Sequence, residues 1–400
     1  MISLVEAVNF RCLRKVRQSL EPFQILVGPN ASGKTTFLEA ISFIGQLVSE
    51  GLEAAVSQRT NNFRDLVWGR SGSQFELTLA APIPPHLMDG QGVDQVGYHV
   101  EIRLNETTGE LEIGAEKVVL VANPHVTNES LYSHLDGRRV LELIGKEVIF
   151  YPEKYPANAM RHHPLGLKFG SHKSALGNLP EDESLFPVTT WLKSYLTQGV
   201  QSFTLNSQLL RKASPPGQTR GFKPDGSNLP WVIHRLQQSA PDRVTDWIAH
   251  LQTALPDLEG IRTVEREDDR HRYLMLRYRG GLEVPSWSVS DGTLRLLALT
   301  LPAYLTDFEG VYLIEEPENG IHPRAIETMY QSLSSVYGAQ ILMATHSPII
   351  LGMAEVESVL CFTKNAEGAT EIVRGDQHPR LREWHRETDL GVLFASGVLG

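Results

Sequence analysis

The 400-residue sequence has little cysteine, no long hydrophobic run and no basic amino-terminal leader. Its two cysteines, Cys12 and Cys361, are too few for a disulfide framework or for a cysteine-rich zinc site. No apolar stretch approaches the length of a membrane span, and the segment from Met1 to Glu6 lacks the basic end and cleavage site of a secretory signal. We therefore expect a cytoplasmic protein with no membrane contact.

Long uninterrupted heptads are also missing, because prolines interrupt every candidate segment for a coiled-coil arm. They are Pro156, Pro164, Pro180, Pro187, Pro215, Pro216 and Pro241. The composition is that of a globular protein, with 41% hydrophobic and 21% charged residues. Because 400 residues exceed one ordinary core, we expect two lobes or one domain with a large insertion.

A glycine-rich loop is the most specific pattern in the chain, and it reads Gly28-Pro29-Asn30-Ala31-Ser32-Gly33-Lys34-Thr35. The apolar run from Pro22 to Val27 before it is typical of a buried parallel strand. Helical spacing follows it at Phe37, Leu38, Ile41, Ile44 and Val48. A chance match to a degenerate pattern is the alternative, but the strand and helix context favours a phosphate-binding loop.

The loop residues have separate expected roles. Gly28 and Gly33 let successive backbone N–H groups turn inward, and the helix that begins near Lys34 adds its positive end. A triphosphate such as ATP fits this arrangement. Lys34 is expected to reach the β and γ phosphates, the Thr35 hydroxyl to hold Mg²⁺, and Thr36 to pack or cap.

Two further apolar runs end in polar groups. The run from Gly310 to Ile314 leads into Glu315 and Glu316, where ligands bind in α/β sheets. Glu315 suits Mg²⁺, and Glu316 suits polarisation of the water that attacks the γ-phosphate. The run from Ile341 to Thr345 delivers His346, which is expected to hydrogen-bond the γ-phosphate or the attacking water.

The segment from Ser290 to Thr293, which we name the Ser290 loop, precedes an apolar helix. Ser290 is a good N-cap and Gly292 permits close approach, so this helix start is a second anion site. One nucleotide does not require two phosphate-binding elements from the same chain. A site made from two protomers explains both, with the Ser290 loop of one closing on the triphosphate of the other.

These motifs resemble those of the ABC-type ATPase heads of the SMC, RecF and OLD class, especially compact bacterial ATPases of phage-defence and repair operons. The resemblance covers nearly the whole chain. It rests on Asn9-Phe10-Arg11, Gly28 to Thr35, Asp225 to Pro230, Ser290 to Thr293, Glu315 to Pro323, Thr345 to Pro348, and Asp389 to Phe394. It implies an α/β fold, an ABC-type P-loop ATPase head with a mixed sheet, an antiparallel β lobe and an inserted helical lobe.

In that family ATP binding pairs two heads and hydrolysis parts them, which is what the resemblance implies here. Glu316 then looks like the catalytic glutamate and Ser290 like the signature serine. Asn319 and His322 look like part of the loop that faces the dimer seam. The spacing agrees with this class, because 256 positions separate Lys34 from Ser290 and only 26 separate Ser290 from Glu316.

The sequence departs from the family pattern at two places. Glu315 stands where ABC proteins usually carry an aspartate, which adds a methylene next to the expected Mg²⁺. The glutamine that senses the γ-phosphate in the family is not identified, and Gln58 and Gln74 are its candidates.

The expected domains are, in order, the amino-terminal half of the head (1–80), an antiparallel β subdomain (81–150), an inserted basic and mainly helical lobe (151–280), the carboxyl half of the head (281–375) and a helical tail (376–400). Alternating residues predict strands at Phe75 to Leu79, Tyr98 to Leu104 and Leu111 to Val121, and Tyr273 to Tyr278 is a further strand. Helical spacing dominates from 185 to 255, with Pro230 in a first turn.

Charge is uneven along the chain. The segment 154–224 carries nine Lys/Arg and three Asp/Glu, whereas the whole chain carries a net charge of −10. A basic lobe that meets DNA and a solvated face balanced by acidic neighbours are equally compatible with this pattern. Its aromatic residues, Phe169, Trp191, Tyr195 and Phe203, fit core packing or base stacking.

Three histidines, His162, His163 and His172, lack nearby cysteines and carboxylates, so Mg²⁺ is the only metal we expect.

The sequence therefore predicts a Mg²⁺-dependent ATPase that forms a homodimer, or a higher oligomer, through ATP-sandwiched heads. No clustered acidic nuclease motif is found, so we expect it to gate a separately encoded nuclease or toxin in phage defence. The alternative is a DNA-binding ATPase of RecF or SMC type in DNA repair. A transporter subunit fits the motif order, but such subunits are usually shorter between the glycine-rich loop and the signature.

Overall fold

The structure is a computed structural model that describes residues 1–88, 92–121, 137–154, 164–180, 182–381 and 390–395. The chain divides into two compact units. The first unit contains Met1–Glu21, Asn30–Val200 and Phe362–Ile372, and the second contains Pro22–Pro29, Gln201–Cys361 and Val373–Gly400. The division passes through the glycine-rich loop, between Pro29 and Asn30.

Seventeen strands are formed in the described part of the chain. In chain order they are β1 Leu4–Phe10, β2 Leu13–Ser19, β3 Phe23–Val27, β4 Gln74–Pro82, β5 Gln95–Leu104, β6 Leu111–Val121, β7 Arg138–Ile144, β8 Glu147–Phe150, β9 Leu165–Lys168, β10 Val200–Phe203, β11 Leu258–Glu265, β12 Arg272–Tyr278, β13 Leu282–Pro285, β14 Gly310–Glu315, β15 Ala339–Ala344, β16 Val359–Lys364 and β17 Thr370–Arg374.

Ten α-helices accompany these strands in the same described part. They are α1 Lys34–Glu50, α2 Leu52–Ser57, α3 Pro187–Ser194, α4 Ser207–Arg211, α5 Leu229–Ser239, α6 Pro241–Gln252, α7 Asp291–Thr300, α8 Pro323–Ser334, α9 Pro348–Met353 and α10 Leu390–Ala395. The longest of them, α1, has 17 residues. Within the described residues, no helix has the length and apolar character needed to cross a membrane.

The first unit is built on an eight-stranded antiparallel sheet in the order β2-β1-β4-β5-β6-β7-β8-β9. The strands predicted from alternation at 75–79, 98–104 and 111–121 lie within β4, β5 and β6. Phe10, Phe43 and Phe75 are fully buried and meet with ring centroids 5.1 to 6.0 Å apart. This aromatic cluster packs α1 on the sheet, since Phe43 lies on the apolar face of the helix.

The second unit carries the central part of a six-stranded sheet in the order β10-β14-β15-β3-β16-β17. The pairs β14 with β15, β15 with β3, and β3 with β16 are all parallel. Residues Val311–Ile314 and Ile341–Ala344 are 0 to 3% exposed, as expected for parallel strands that are covered on both faces. The three predicted parallel strands are therefore confirmed, and they are neighbours.

The second unit also contains a three-stranded sheet, β11-β12-β13, and the helices α5 to α8. Pro230 lies in the first turn of α5, after Asn228 at the N-cap, as predicted. Trp247 is fully buried on α6, and its indole N–H donates to the Thr300 hydroxyl over 2.9 Å. This hydrogen bond satisfies the indole nitrogen, which burial of the ring would otherwise leave without a hydrogen-bond partner.

Candidate functional site

The glycine-rich loop adopts the backbone that its sequence predicts. Gly28, Ala31 and Gly33 have φ values of 150°, 61° and 108°, in a region where glycine is strongly favoured. Helix α1 begins at Lys34, directly after the left-handed Gly33. Because the first turn of a helix leaves N–H groups without helical partners, this start is suited to an anion.

Within the first unit, strand β17 fixes the loop at Ser32 and Gly33. The Thr370 hydroxyl donates to the Ser32 carbonyl over 2.8 Å, and the Thr370 amide donates to the Cys12 carbonyl over 2.9 Å. A Cβ atom on Gly33 would lie 2.3 Å from the Thr370 hydroxyl oxygen. No sequence signal identified Thr370, because the contact joins positions 338 residues apart.

The predicted motif Asn9-Phe10-Arg11 also packs on α1. Asn9 and Arg11 have φ values of 57° and 49°, so the chain turns sharply between β1 and β2. The Arg11 guanidinium forms an ion pair with Glu39 on α1 at 2.5 Å. The motif therefore ties the β1–β2 hairpin to the helix that begins in the glycine-rich loop.

Gln58 lies at the far end of α1 from the loop, which argues against its candidate role as the γ-phosphate sensor. Its amide donates to Glu50 at the carboxyl end of the helix over 3.1 Å. A helix of 17 residues is about 25 Å long at 1.5 Å per residue. Gln74 is the first residue of β4 and is exposed, and its candidate role remains a prediction.

In the second unit, three parallel strands bring their carboxyl ends to one edge. Glu315 on β14 is in register with Ala344 on β15, and Ala344 is in register with Leu26 on β3. Two residues after Leu26 the chain reaches Gly28, the first residue of the glycine-rich loop. The start of the loop, the acidic segment and the segment before His346 therefore share one sheet edge, as the sequence predicts.

Glu316 is held in an unusual backbone conformation at this edge. Its φ is 44°, and its amide donates to the Ala344 carbonyl over 2.8 Å. The Asn319 side-chain amide donates to one Glu316 carboxylate oxygen at 2.5 Å, and His346 Nε2 lies 4.0 Å from the other. A non-glycine residue at positive φ is costly, and such strain is concentrated at functional sites.

Glu318 is a site residue to which the sequence assigned no role. One of its carboxylate oxygens accepts from the Thr345 hydroxyl over 2.6 Å and from the His346 amide over 3.1 Å. The Thr345 hydroxyl in turn accepts from the Ser347 amide at 2.9 Å. These bonds fix the backbone on both sides of His346. The sequence shows three glutamates in this segment, but not which of them turns back toward β15.

The Ser290 loop caps α7 as predicted. The Ser290 hydroxyl oxygen accepts from the Thr293 amide over 3.2 Å. A Cβ atom on Gly292 would lie 2.4 Å from the Gly320 carbonyl oxygen, so only glycine fits there. The loop from Glu316 to His322 therefore packs directly on the Ser290 loop within the same unit.

The donor atoms expected to hold Mg²⁺ are of the right chemical kind. The Thr35 hydroxyl is exposed in the first turn of α1, and the Glu315 carboxylate is exposed at the end of β14. Mg²⁺ prefers oxygen ligands and usually keeps waters and phosphate oxygens as its remaining ligands. Two exposed protein oxygens are compatible with this preference.

The aromatic residues of the basic segment 154–224 pack mainly on other rings. Phe203 is 7% exposed and stacks on Phe222, while Trp191 stacks on Tyr195 at 5.2 Å. These contacts favour the core-packing interpretation over base stacking. Within the segment, residues 155–163, which include His162 and His163, and residue 181 lie outside the described part of the chain. Asp389, the first residue of the predicted Asp389 to Phe394 motif, also lies outside it.

Two family models match the chain. An AAA domain model, described as a putative AbiEii toxin of a type IV toxin–antitoxin system, matches residues 153–352, which is half of the chain. The chain belongs to this AAA family. A second model, an AAA ATPase domain, matches residues 1–66. The second match contains the glycine-rich loop, and the first contains the Ser290 loop, Glu315, Glu316 and His346.

Curated relatives match almost the full length of this AAA protein. An OLD nuclease from Thermus scotoductus is 22% identical over 411 residues, which cover 98% of this chain and 68% of the relative. The Retron Vc95 probable ATPase from Vibrio cholerae is 20% identical over 446 residues, which cover 98% of this chain and 81% of the relative.

Solved structures of SMC heads share the fold. A Smc head bound to the C-terminal winged-helix domain of ScpA has a TM-score of 0.55 at 14% identity and covers 93% of this chain. The Smc head of Pyrococcus furiosus with an extended coiled coil has a TM-score of 0.52, also at 14% identity. With the sequence relatives, this likeness confirms an α/β ATPase head of the SMC and OLD class.

Proposed function

We propose that this AAA protein is a Mg²⁺-dependent ATP hydrolase. The loop from Gly28 to Thr36 binds the phosphates, and Lys34 reaches the β and γ phosphates. Thr35 and Glu315 hold Mg²⁺, which supplies charge neutralisation on the phosphate oxygens. Glu316 polarises the attacking water, and His346 hydrogen-bonds the γ-phosphate.

The shared edge of β3, β14 and β15 is the observation that carries the proposal. It brings the start of the phosphate loop together with Glu316 and His346. Hydrogen bonds from Asn319 to Glu316, and from the His346 amide to Glu318, orient these groups. Prepositioned groups lower the reorganisation required in the transition state.

The proposed active assembly is a head-to-head homodimer around two ATP molecules. The Ser290 loop starts α7 with an exposed serine, and such a start favours an anion. In the dimer it contacts the triphosphate held by the other copy, which completes the site. This arrangement converts nucleotide turnover into association and dissociation of the two copies.

The proposed biological role is control of a separate effector, a nuclease or toxin, in phage defence. Similarity to an OLD nuclease and to a retron probable ATPase supports a defence setting. Nuclease activity of the purified chain itself would contradict a separate effector. The partner can be sought by co-purification with and without ATP, with proteins and nucleic acids both identified.

The variant Glu316→Gln tests the proposed mechanism. We expect hydrolysis to fall by on the order of 10²- to 10⁴-fold, because the amide cannot accept the proton of the attacking water. ATP affinity is expected to stay near that of the wild type, so the closed dimer accumulates with Mg²⁺ and ATP. Phosphate release measures turnover, and light scattering measures the molar mass of the assembly.

The matched control is Glu309→Gln, which removes an exposed glutamate just before the opposite end of β14. It is expected to leave both turnover and mass unchanged. Unaltered turnover in Glu316→Gln would remove this residue from the mechanism.

A DNA-binding repair ATPase is the second candidate function. The excess of Lys and Arg in segment 154–224 favours it. Hydrolysis that is stimulated by DNA, in a protein that captures no tight protein partner, would support this function over effector control.

A further inference from the structure

A groove in the second unit borders the Ser290 loop, because its lining residue Arg211 pairs with Asp291 of that loop. It is lined by Gln208, Arg211, Lys212, Ala213, Arg266 and Trp287, and its volume is about 580 Å³. We name it the Trp287 groove. Among these described lining residues three carry positive charge and none is acidic.

The aromatic side chain that lines the groove is the exposed Trp287, which packs on the partly buried Tyr273. Trp287 is 47% exposed, although burial of an indole ring is strongly favourable. Its ring lies 4.9 Å from the Tyr273 ring, and the Arg266 guanidinium lies 5.9 Å from the same tyrosine ring. The neighbouring Ser286 is fully buried, and its hydroxyl donates to the Arg211 carbonyl over 2.9 Å. The indole is therefore presented on an anchored turn.

The cations around the rings are only partly neutralised. Arg211 forms an ion pair with Asp291 at 2.7 Å and also donates to the Trp287 carbonyl over 3.1 Å. Arg266 lies 3.6 Å from Asp269, which is a loose pair. Lys212 is exposed, and its ammonium group forms no ion pair or hydrogen bond within the described residues. The groove therefore retains positive charge beside an open aromatic face.

We infer that the Trp287 groove binds single-stranded nucleic acid. A base stacks on the Trp287 indole, and the flanking phosphates contact Lys212 and Arg266. Aromatic faces bordered by cations are the features that hold single strands, because every base has a stacking face and every nucleotide has a phosphate. A duplex keeps its base faces stacked inside and does not offer them to the indole. Arg211 and Lys212 belong to the basic segment 154–224, so the groove gives that segment an aromatic partner from elsewhere in the chain.

The test measures binding of a fluorescein-labelled oligothymidylate of about 12 nucleotides to the full chain, without ATP, by fluorescence anisotropy. We expect Trp287→Ala to weaken binding by roughly 5- to 100-fold and Trp287→Phe to retain most of the affinity. Lys212→Glu is expected to weaken binding at low salt and to flatten the dependence of log K on log salt by roughly 0.7 or more.

Two exposed positions in the second unit, outside the groove, provide matched controls. Tyr337→Ala removes a tyrosine that is 88% exposed, and Arg279→Glu reverses an exposed charge by the same amount as Lys212→Glu. Both are expected to bind the oligonucleotide as the wild type does. Because ATP is left out, failure here leaves the ATPase proposal untouched.

Three outcomes would overturn the proposal. One is equal oligonucleotide affinity in the wild type and Trp287→Ala. Another is a matching loss in the two controls, which would indicate diffuse charge attraction. The third is saturable quenching of intrinsic fluorescence by ATP alone that Trp287→Ala abolishes, with no quenching by the oligonucleotide, which would assign the groove to a mononucleotide.

Discussion

At the scale of single residues, Gly33 is constrained by its backbone and by its neighbour. Its φ of 108° disfavours any side chain, and Thr370 occupies the space that a Cβ atom would need. The contact also explains why β17 matters to a loop encoded more than 300 residues earlier. The loop conformation is therefore set partly by its own glycines and partly by a distant threonine.

Gly33→Ala is expected to abolish nucleotide binding. The backbone strain is about 1–3 kcal/mol, and the clash with Thr370 displaces the loop in addition. Gly51→Ala is the matched control, since Gly51 has a φ of 90° at the other end of α1 but its added Cβ would meet no atom closer than 3.9 Å. We expect Gly51→Ala to lose stability but to keep nucleotide affinity. Binding of a fluorescent ATP analogue and urea unfolding measure the two effects, and equal nucleotide affinity in both variants would contradict the expectation.

The positions of the candidate residues in the fold were predictable where each follows an apolar run, although their roles remain predictions. Glu315, Glu316 and His346 follow apolar runs, and the structure brings the ends of those runs to one edge. Thr370 and Glu318 were not predictable in their roles, because each acts through a contact with a residue on another strand. Local spacing does not contain that information.

At the scale of elements, the buried parallel strands and the helix starts were predictable. Four or more consecutive apolar residues indicate β14 and β15, and Ser290 before a leucine-rich run indicates α7. The order of the strands was not predictable. The eight-stranded sheet places β1 between β2 and β4, which depends on long-range pairing rather than on alternation within a strand.

Strand β5 carries a partly buried histidine that makes the stability of the first unit depend on pH. Burial, with a smaller contribution from Lys117 on the adjacent strand, lowers the pKa of His99 to about 4 from 6.5. Its Nδ1 lies 3.0 Å from the Thr78 hydroxyl. Between pH 6.5 and 4 the unfolded chain binds a proton there and the folded chain does not, so stability falls as pH falls.

His99→Gln is expected to remove this contribution, because the amide keeps a partner for Thr78 but does not titrate. Between pH 7 and pH 4.5, the free energy of unfolding of the wild type is expected to fall by roughly 1–3 kcal/mol more than that of the variant. Urea unfolding at the two pH values measures the difference, with His86→Gln as the control for replacing an exposed histidine. Parallel losses in the wild type and His99→Gln would show that the histidine does not contribute.

At the scale of the whole molecule, the proposed dimer distributes each ATP site over two copies. The phosphate loop and the Ser290 loop are then required from different protomers. This requirement separates the proposal from one in which a single chain hydrolyses ATP alone. It can be tested with variants that damage one half-site each.

An equimolar mixture of Lys34→Ala and Ser290→Asp is expected to recover about a quarter of wild-type turnover, although each variant alone is inactive. When the two variants pair at random, half of the dimers contain one copy of each variant. Each of these dimers has one of its two ATP sites intact. Ser290→Asp keeps an N-cap for α7 while its carboxylate repels the γ-phosphate. Phosphate release measures the recovery. A mixture as inactive as its components would mean that the sites are not shared between copies.

The contact of Gly292 with the Gly320 carbonyl has a consequence for the coupling of the two ATP sites. In the proposed dimer, Glu316 of a given copy serves one ATP, and Ser290 of that same copy serves the other ATP. Because Gly292 and Gly320 leave no gap between these segments, a shift that follows cleavage at the first ATP moves the grip on the second. Each copy thereby links the two ATP sites, and the nucleotide state of one site is expected to affect binding at the other.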